Sequence, residues 1–98
     1  MQVKIQKSCR GVVSICDSDL VGKYFEEGKF QLDVKESFYR GEEFTKEQVL
    51  FLIQKMDRED ATFNVVGKES IQTAIEAGII IEEGVKKIAG IPFGMVLL

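Results

Sequence analysis

Asp17 and Asp19 stand two positions apart after a run of β-branched residues, and Lys23 follows shortly after. Two carboxylates at this spacing offer hard oxygen ligands of the kind that hold Mg²⁺, which makes Asp17 and Asp19 the candidate metal ligands. The plainer use of the same residues is to cap a turn: Asp17 or Ser18 accepts backbone N–H groups, and Gly22 closes the turn in a left-handed conformation. Cys16 is a nucleophile by type. Its neighbour Asp17 would raise the thiol pKa, and the chain has no histidine to act as base, so Cys16 reads as a small strand residue.

Two further constellations carry chemistry. Gly67-Lys68-Glu69-Ser70 lies between a strand pattern and a helix pattern, so the helix N-terminus at Gly67 and Lys68 is a candidate anion seat. It lacks the upstream glycine and the Lys-Ser/Thr adjacency of a nucleotide-binding loop. Phe38-Tyr39-Arg40-Gly41 sets an aromatic pair beside a guanidinium, a combination that stacks on a base or docks a partner. Lys23, Tyr39, Arg40 and Gly41 are therefore the candidate binding surface. The competing reading places Phe38 in the core, Tyr39 at its rim and Arg40 in water, because alternation along a strand sends Phe38 and Tyr39 to opposite faces.

The elements that must position these groups follow from periodicity. Val3 and Ile5 alternate with Lys4 and Gln6, and 12–16 is β-branched and apolar, which predicts an N-terminal hairpin. A three-residue loop, Cys9-Arg10-Gly11, would place Gly11 in the left-handed region. It also puts Val13 and Ile15 on the face of Val3 and Ile5, the register the hydrophobic pattern favours. Cys9 at the tip and Cys16 at the far end are then too far apart for a disulfide. Phe30, Leu32 and Val34 form a half-buried strand after a turn at 26–29. Residues 37–40 extend or neighbour that strand, and Gly41 breaks it. Thr45 with Gln48 is a capping box opening a buried helix over about 45–59. A strand over 61–66 leads into a second helix over about 68–77, which Gly78 ends. Segments 85–89 and 93–98 are the last strands, and Pro92 marks a strand start or an edge. Strands first, then helices and strands mixed, predict an α+β fold with C-terminal strands completing a mixed sheet.

Ninety-eight residues make one domain over 1–98, with a sub-lobe seam near 41–45. A net charge of −3 argues against a dedicated nucleic-acid binder, although a local basic patch is compatible with it. The absence of histidine removes the usual general base and the commonest metal ligand, and no cofactor is expected. Two cysteines are too few for a disulfide framework. No signal-peptide segment or membrane-length apolar run is present, so the expected setting is cytoplasmic, with no membrane partner. The apolar end, Phe93 to Leu98, needs cover as a central strand or as an interface strand of a homodimer.

Taken together, Cys16-Asp17-x-Asp19-Leu20-x-Gly22-Lys23, Phe25-x-Glu27-Gly28, Leu32-x-Val34 and Phe38-Tyr39-x-Gly41-Glu42 resemble a family of small archaeal proteins. That family is known as domain of unknown function number 424. Asn64-x-Val66-Gly67, Ala74-Ile75-x-x-Gly78 and Gly90-x-Pro92 extend the resemblance over nearly the whole chain. In the family pattern a histidine often follows the last proline; Phe93 stands there in this chain, so no histidine-based role carries over. The resemblance implies a small archaeal cytoplasmic protein and supplies no catalytic residues. The functional expectation is a non-enzymatic interaction or binding module with a protein or RNA partner, in a translation- or RNA-linked role. The competing expectation is a small phosphate- or metal-binding enzyme, or a subunit of one, built on Asp17, Asp19, Lys23 and the helix start at Gly67.

Overall fold

The alternating segments at the two ends of the chain meet in one mixed sheet. The structure is a computed structural model that describes residues 1–7 and 11–96. Strand β1 (Gln2–Lys7) pairs antiparallel with β2 (Gly11–Cys16), Val3 opposite Ile15 and Ile5 opposite Val13. The apolar faces match as expected, since a slip of one residue would turn each strand's apolar set outward. The pairing is shifted by two from that of a Cys9-Arg10-Gly11 loop, which would set Ile5 opposite Ile15. The loop at 8–10, and with it Cys9, lies outside the described residues. Contrary to expectation, Gly11 lies inside the ladder opposite Lys7, as the first residue of β2, and takes no left-handed φ.

After a 3-10 turn at Ser18–Leu20, the hairpin β3 (Tyr24–Glu27) and β4 (Phe30–Asp33) forms a small sheet of its own. Next come the short helix α1 (Glu36–Tyr39), the edge strand β5 (Glu42–Glu43), and α2 (Lys46–Asp57). β6 (Thr62–Val66), α3 (Lys68–Ala77), β7 (Lys86–Ile88) and β8 (Ile91–Val96) complete the chain. The main sheet has the order β5-β1-β2-β6-β8-β7, and β2 with β6 is its one parallel pair among the described residues. The fold is α+β, with the expected hairpin, two main helices and C-terminal strands.

One face of the sheet carries both long helices. Val3, Val13, Ile15, Phe63 and Val65 from the strands pack with Val49, Ile53 and Met56 of α2 and Ile71 and Ala74 of α3. The Thr45–Gln48 capping box forms as expected, each residue's side chain bonding the other's backbone N–H. α2 stops at Asp57 rather than near 59. α3 ends where Gly78 takes φ +84° and donates to the Ala74 and Ile75 carbonyls, the left-handed C-terminal geometry that suits glycine.

Further expectations are corrected. Residues 37–39 are helical rather than extended; Arg40 is the extended residue that ends the turn, its N–H bonding the Glu36 carbonyl and its guanidinium the Glu36 carboxylate at 2.6 Å. The four-residue spacing of that pair is a helical signal. The helical turn also brings Phe38 and Tyr39 into an edge-to-face contact at 5.0 Å between ring centres instead of sending them to opposite faces. Of the last strands, β7 is shorter than 85–89, and β8 begins at Ile91, two residues before the expected start at 93. β7 and β8 are joined by a two-residue turn with positive φ at both Ala89 (52°) and Gly90 (80°), the turn whose twist matches a hairpin. Pro92 is the second residue of β8, and its carbonyl accepts from Gly67 N at 2.8 Å.

Glu42 and Glu43, inside the stretch 41–45, pair with Val3 and Gln2 in the main sheet. The apolar C-terminal stretch considered as a dimer strand is β8, hydrogen-bonded to β6 on one side and to β7 on the other. No helix among the described residues is long and apolar enough to cross a membrane.

Candidate functional site

Because β2 and β6 run parallel, their C-terminal ends lie side by side, with Asp17 N on the Val66 carbonyl at 3.0 Å. There Asp17 leaves its own turn uncapped and reaches across to α3. One carboxylate oxygen accepts from Ser70 N at 2.8 Å and Ser70 Oγ at 2.7 Å, the other from Glu69 N at 3.2 Å. Three donors at a helix N-terminus meeting one anion is the arrangement expected of a phosphate seat. Here the anion is the protein's own carboxylate. Gly67, at φ +109°, is the residue that lets it in, since a Cβ there would lie 2.2 Å from Asp17 Cγ. Lys68 is exposed and lines a separate cavity with Ile71, Gln72 and Glu82, on the side of α3 toward the β7–β8 turn.

Asp19 is exposed and joins Asp17, Glu43 and Glu69 around an acidic cavity. Among the described residues, no group of three or more His, Cys, Asp or Glu side chains is placed to hold a metal ion. The cation at this cavity is the Met1 amino group, which pairs with the Glu43 carboxylate and donates to the Phe44 carbonyl at 3.1 Å. That ammonium, seconded by Ser18 Oγ at 2.6 Å, lowers the Glu43 pKa to about 2. The pair therefore contributes stability above the ordinary carboxylate range and loses it as pH falls toward that value. Glu43 is well exposed, so water screens the pair and the effect is small.

The four residues of the sequence-derived surface separate. Lys23 is exposed and holds its turn through backbone bonds, its N–H on the Leu20 carbonyl and its carbonyl accepting from Val34 N. Arg40 is paired with Glu36. Gly41 crosses β1 so closely that a Cβ would lie 2.0 Å from the Val3 carbonyl oxygen. Tyr39, at the end of α1, turns inward onto the face of the sheet opposite α2 and α3, in a cluster with Cys16, Leu20, Val34 and Val66. Burial, with the nearby Cys16, pushes its phenol up to about 12, so the hydroxyl keeps its proton.

Tyr39 also lines a groove of about 430 Å³ between the β3–β4 hairpin and strands β6 and β8. Its walls include Leu32, Asn64, Phe93 and Met95, with Lys86 at the rim. Asn64 and Phe93 are half-buried, and Met95 is 62% exposed. An apolar cleft of a few hundred Å³ with a small number of polar groups has the form of a ligand site. Asn64, Lys86 and Met95 were not among the site residues expected from the sequence, where Asn64 entered only in the string Asn64-x-Val66-Gly67. A signal for Asn64 was there: it is the one carboxamide in Thr-Phe-Asn-Val-Val, an otherwise β-forming run. Phe93 lies in the same groove.

Cys16 is fully buried with its Sγ on the Asp17 carbonyl at 3.3 Å. Desolvation first, then the charges of Asp17 and Asp19, push its thiol up to about 12. A thiol held in that form is a poor nucleophile. In a Cys9→Ser background, the native protein at pH 8 is expected to resist iodoacetamide, and urea-unfolded protein to react at once. Rapid labelling of the native state, read by mass spectrometry, would show that Cys16 is reached by solvent.

The molecule is thus a small α+β protein with one face of a mixed sheet under helices and a groove on the other. It belongs to the family described as a protein of unknown function, DUF424, whose model matches residues 7–97. Its fold is similar to that in the crystal structure of an uncharacterized conserved protein from Methanopyrus kandleri, with a TM-score of 0.86. That likeness spans 97% of this chain and 88% of the other at 21% identity. No curated protein matches the chain.

Proposed function

We propose that this protein is a non-enzymatic binding module whose site is the groove on the face opposite α2 and α3, serving an RNA or protein partner. The observation that carries this reading is the composition of the groove. Tyr39, Asn64 and Lys86 bring three polar groups to an otherwise apolar cleft bounded by Leu32, Phe93 and Met95. The Tyr39 phenol is held protonated, and the Cys16 thiol behind it is buried and protonated, so neither serves as a general base near neutrality. The groups suit recognition, in which a few placed polar contacts orient a ligand that apolar contacts hold. The phosphate or metal reading of Asp17, Asp19, Lys23 and Gly67 lacks comparable support. The carboxylate of Asp17 is spent on α3, and Lys23 holds a different turn.

Tagged protein incubated with native extract is expected to retain a stoichiometric partner, identified by mass spectrometry and RNA sequencing. Tyr39→Ala with Asn64→Ala should release it, and Lys23→Ala with Arg40→Ala should not. The reverse pattern would move the site to the outer surface. Failure of the native protein to retain any stoichiometric partner would overturn the reading.

A further inference from the structure

We infer that the groove binds an adenine nucleotide, free or as one residue of a single-stranded RNA, with the base against Phe93 and Tyr39, its edge on the Asn64 carboxamide, and its phosphate at Lys86. The inference rests on the groove being the binding site. Each part follows from the chemistry of one wall. A carboxamide carries an acceptor and two donors side by side. Adenine presents an adjacent donor and acceptor, N6–H and N7, that one carboxamide satisfies together. Phe93 and Tyr39 are half-buried and line the same cavity, and aromatic side chains beside a base supply sequence-tolerant stacking energy. Lys86 is exposed at the rim, where a phosphate would stay in water. The Tyr39 hydroxyl keeps its proton and remains able to donate.

Three other cavities among the described residues lack this combination. The one beside Asp17 is lined by four carboxylates, Asp17, Asp19, Glu43 and Glu69, and would repel a phosphate. The one along α2 has aromatic walls, Phe44 and Phe51, and a carboxamide in Gln48, but that carboxamide accepts from Thr45 N at 2.8 Å in the helix cap. The one beside α3 has Lys68 and Lys87 but no aromatic side chain. In the groove, an aliphatic peptide side chain would leave the Asn64 amide short of partners, and an unsatisfied amide disfavours binding. The net charge of −3 favours a single nucleotide or a short strand over an extended nucleic-acid track.

The test is a titration of ¹⁵N-labelled protein with AMP, adenosine, UMP, a short oligoadenylate, a short oligouridylate and an acidic, leucine-containing peptide. AMP or oligoadenylate should shift the Asn64 side-chain amide and the backbone signals of Phe93 and Met95. UMP and oligouridylate should bind more weakly by about tenfold. AMP as tight as the oligoadenylate assigns a free nucleotide; a much tighter oligoadenylate assigns RNA. Asn64→Ala and Phe93→Ala should each weaken binding by about tenfold or more. Lys86→Gln, at an exposed position, should bring AMP down to the affinity of adenosine. If only the peptide shifts the groove, or if adenine and uracil ligands bind equally, the nucleotide assignment is overturned and the groove stands as the binding site. Nucleotide shifts confined to residues outside the groove overturn both.

Discussion

Gly67→Ala is expected to destabilise the protein by at least ~3 kcal/mol in urea unfolding, from two causes that act together. Alanine at φ +109° is strained by about 1–2 kcal/mol whatever its surroundings. The new Cβ would also fall 2.2 Å from Asp17 Cγ and force the carboxylate off α3. Hydrogen bonds to a charged group contribute about 1.5–3 kcal/mol each, and the Ser70 side chain left behind is buried. Asp17→Ala, which removes the anion and leaves the glycine, should cost about 2–4 kcal/mol on the same grounds. Asp17→Asn should cost less, since an amide oxygen still accepts from Ser70. The double variant should be less destabilised than the sum of the two, because each single change already removes the same contact. If both Asp17 variants unfold within about 0.5 kcal/mol of the native protein, the carboxylate is not what holds β2 to α3.

Gly41→Ala should cost about 2–4 kcal/mol for a different reason. Gly41 takes no left-handed φ; what it lacks is room. A Cβ would lie 2.0 Å from the Val3 carbonyl oxygen and 2.9 Å from Lys4 Cα. Both are backbone atoms of β1 and cannot rotate aside, so the crossing segment has to lift. That breaks the bond from Gly41 N to Gln2 Oε1 and the pairing of β5 with Gln2 and Val3. Amide exchange should accelerate at this edge while β2 and β6, at the sheet centre, stay protected. Gly28→Ala is the control: at φ +60° with open space around it, only the conformational cost of about 1 kcal/mol should appear. Equal losses at the two positions would refute the steric argument for Gly41.

Much of the fold was legible along the chain. The apolar facing of β1 and β2, the cap at Thr45 and the bounds of α3 follow from contacts within a few residues or from strict alternation, which neighbouring residues decide; the exact pairing of the hairpin, two residues from the expected one, does not. The errors came where distant residues competed with local preference. Phe38 and Tyr39 have strand propensity, but a helical turn lets both rings meet and seats Tyr39 on the Cys16 cluster. The Ala89–Gly90 turn escaped notice because alanine is an unusual choice for a left-handed position.

The residues with the densest chemistry show the same division. Their types settled what was feasible: without histidine, and with Cys16 beside two carboxylates, nucleophilic or acid–base chemistry near neutrality had no support. Their assignment to one another could not be read along the chain. The two halves of the anion seat, Asp17 and Ser70, were each visible as a capping residue or a helix start. Only the parallel pairing of β2 with β6 set one against the other, 53 positions apart. Likewise Tyr39, Asn64 and Phe93 come from three separate segments and share a groove because the sheet order and the folded-back hairpin place them there. Local interactions act between near neighbours, so the sequence could state them; the carboxylate's partner and the groove depend on strand order, which tertiary packing decides.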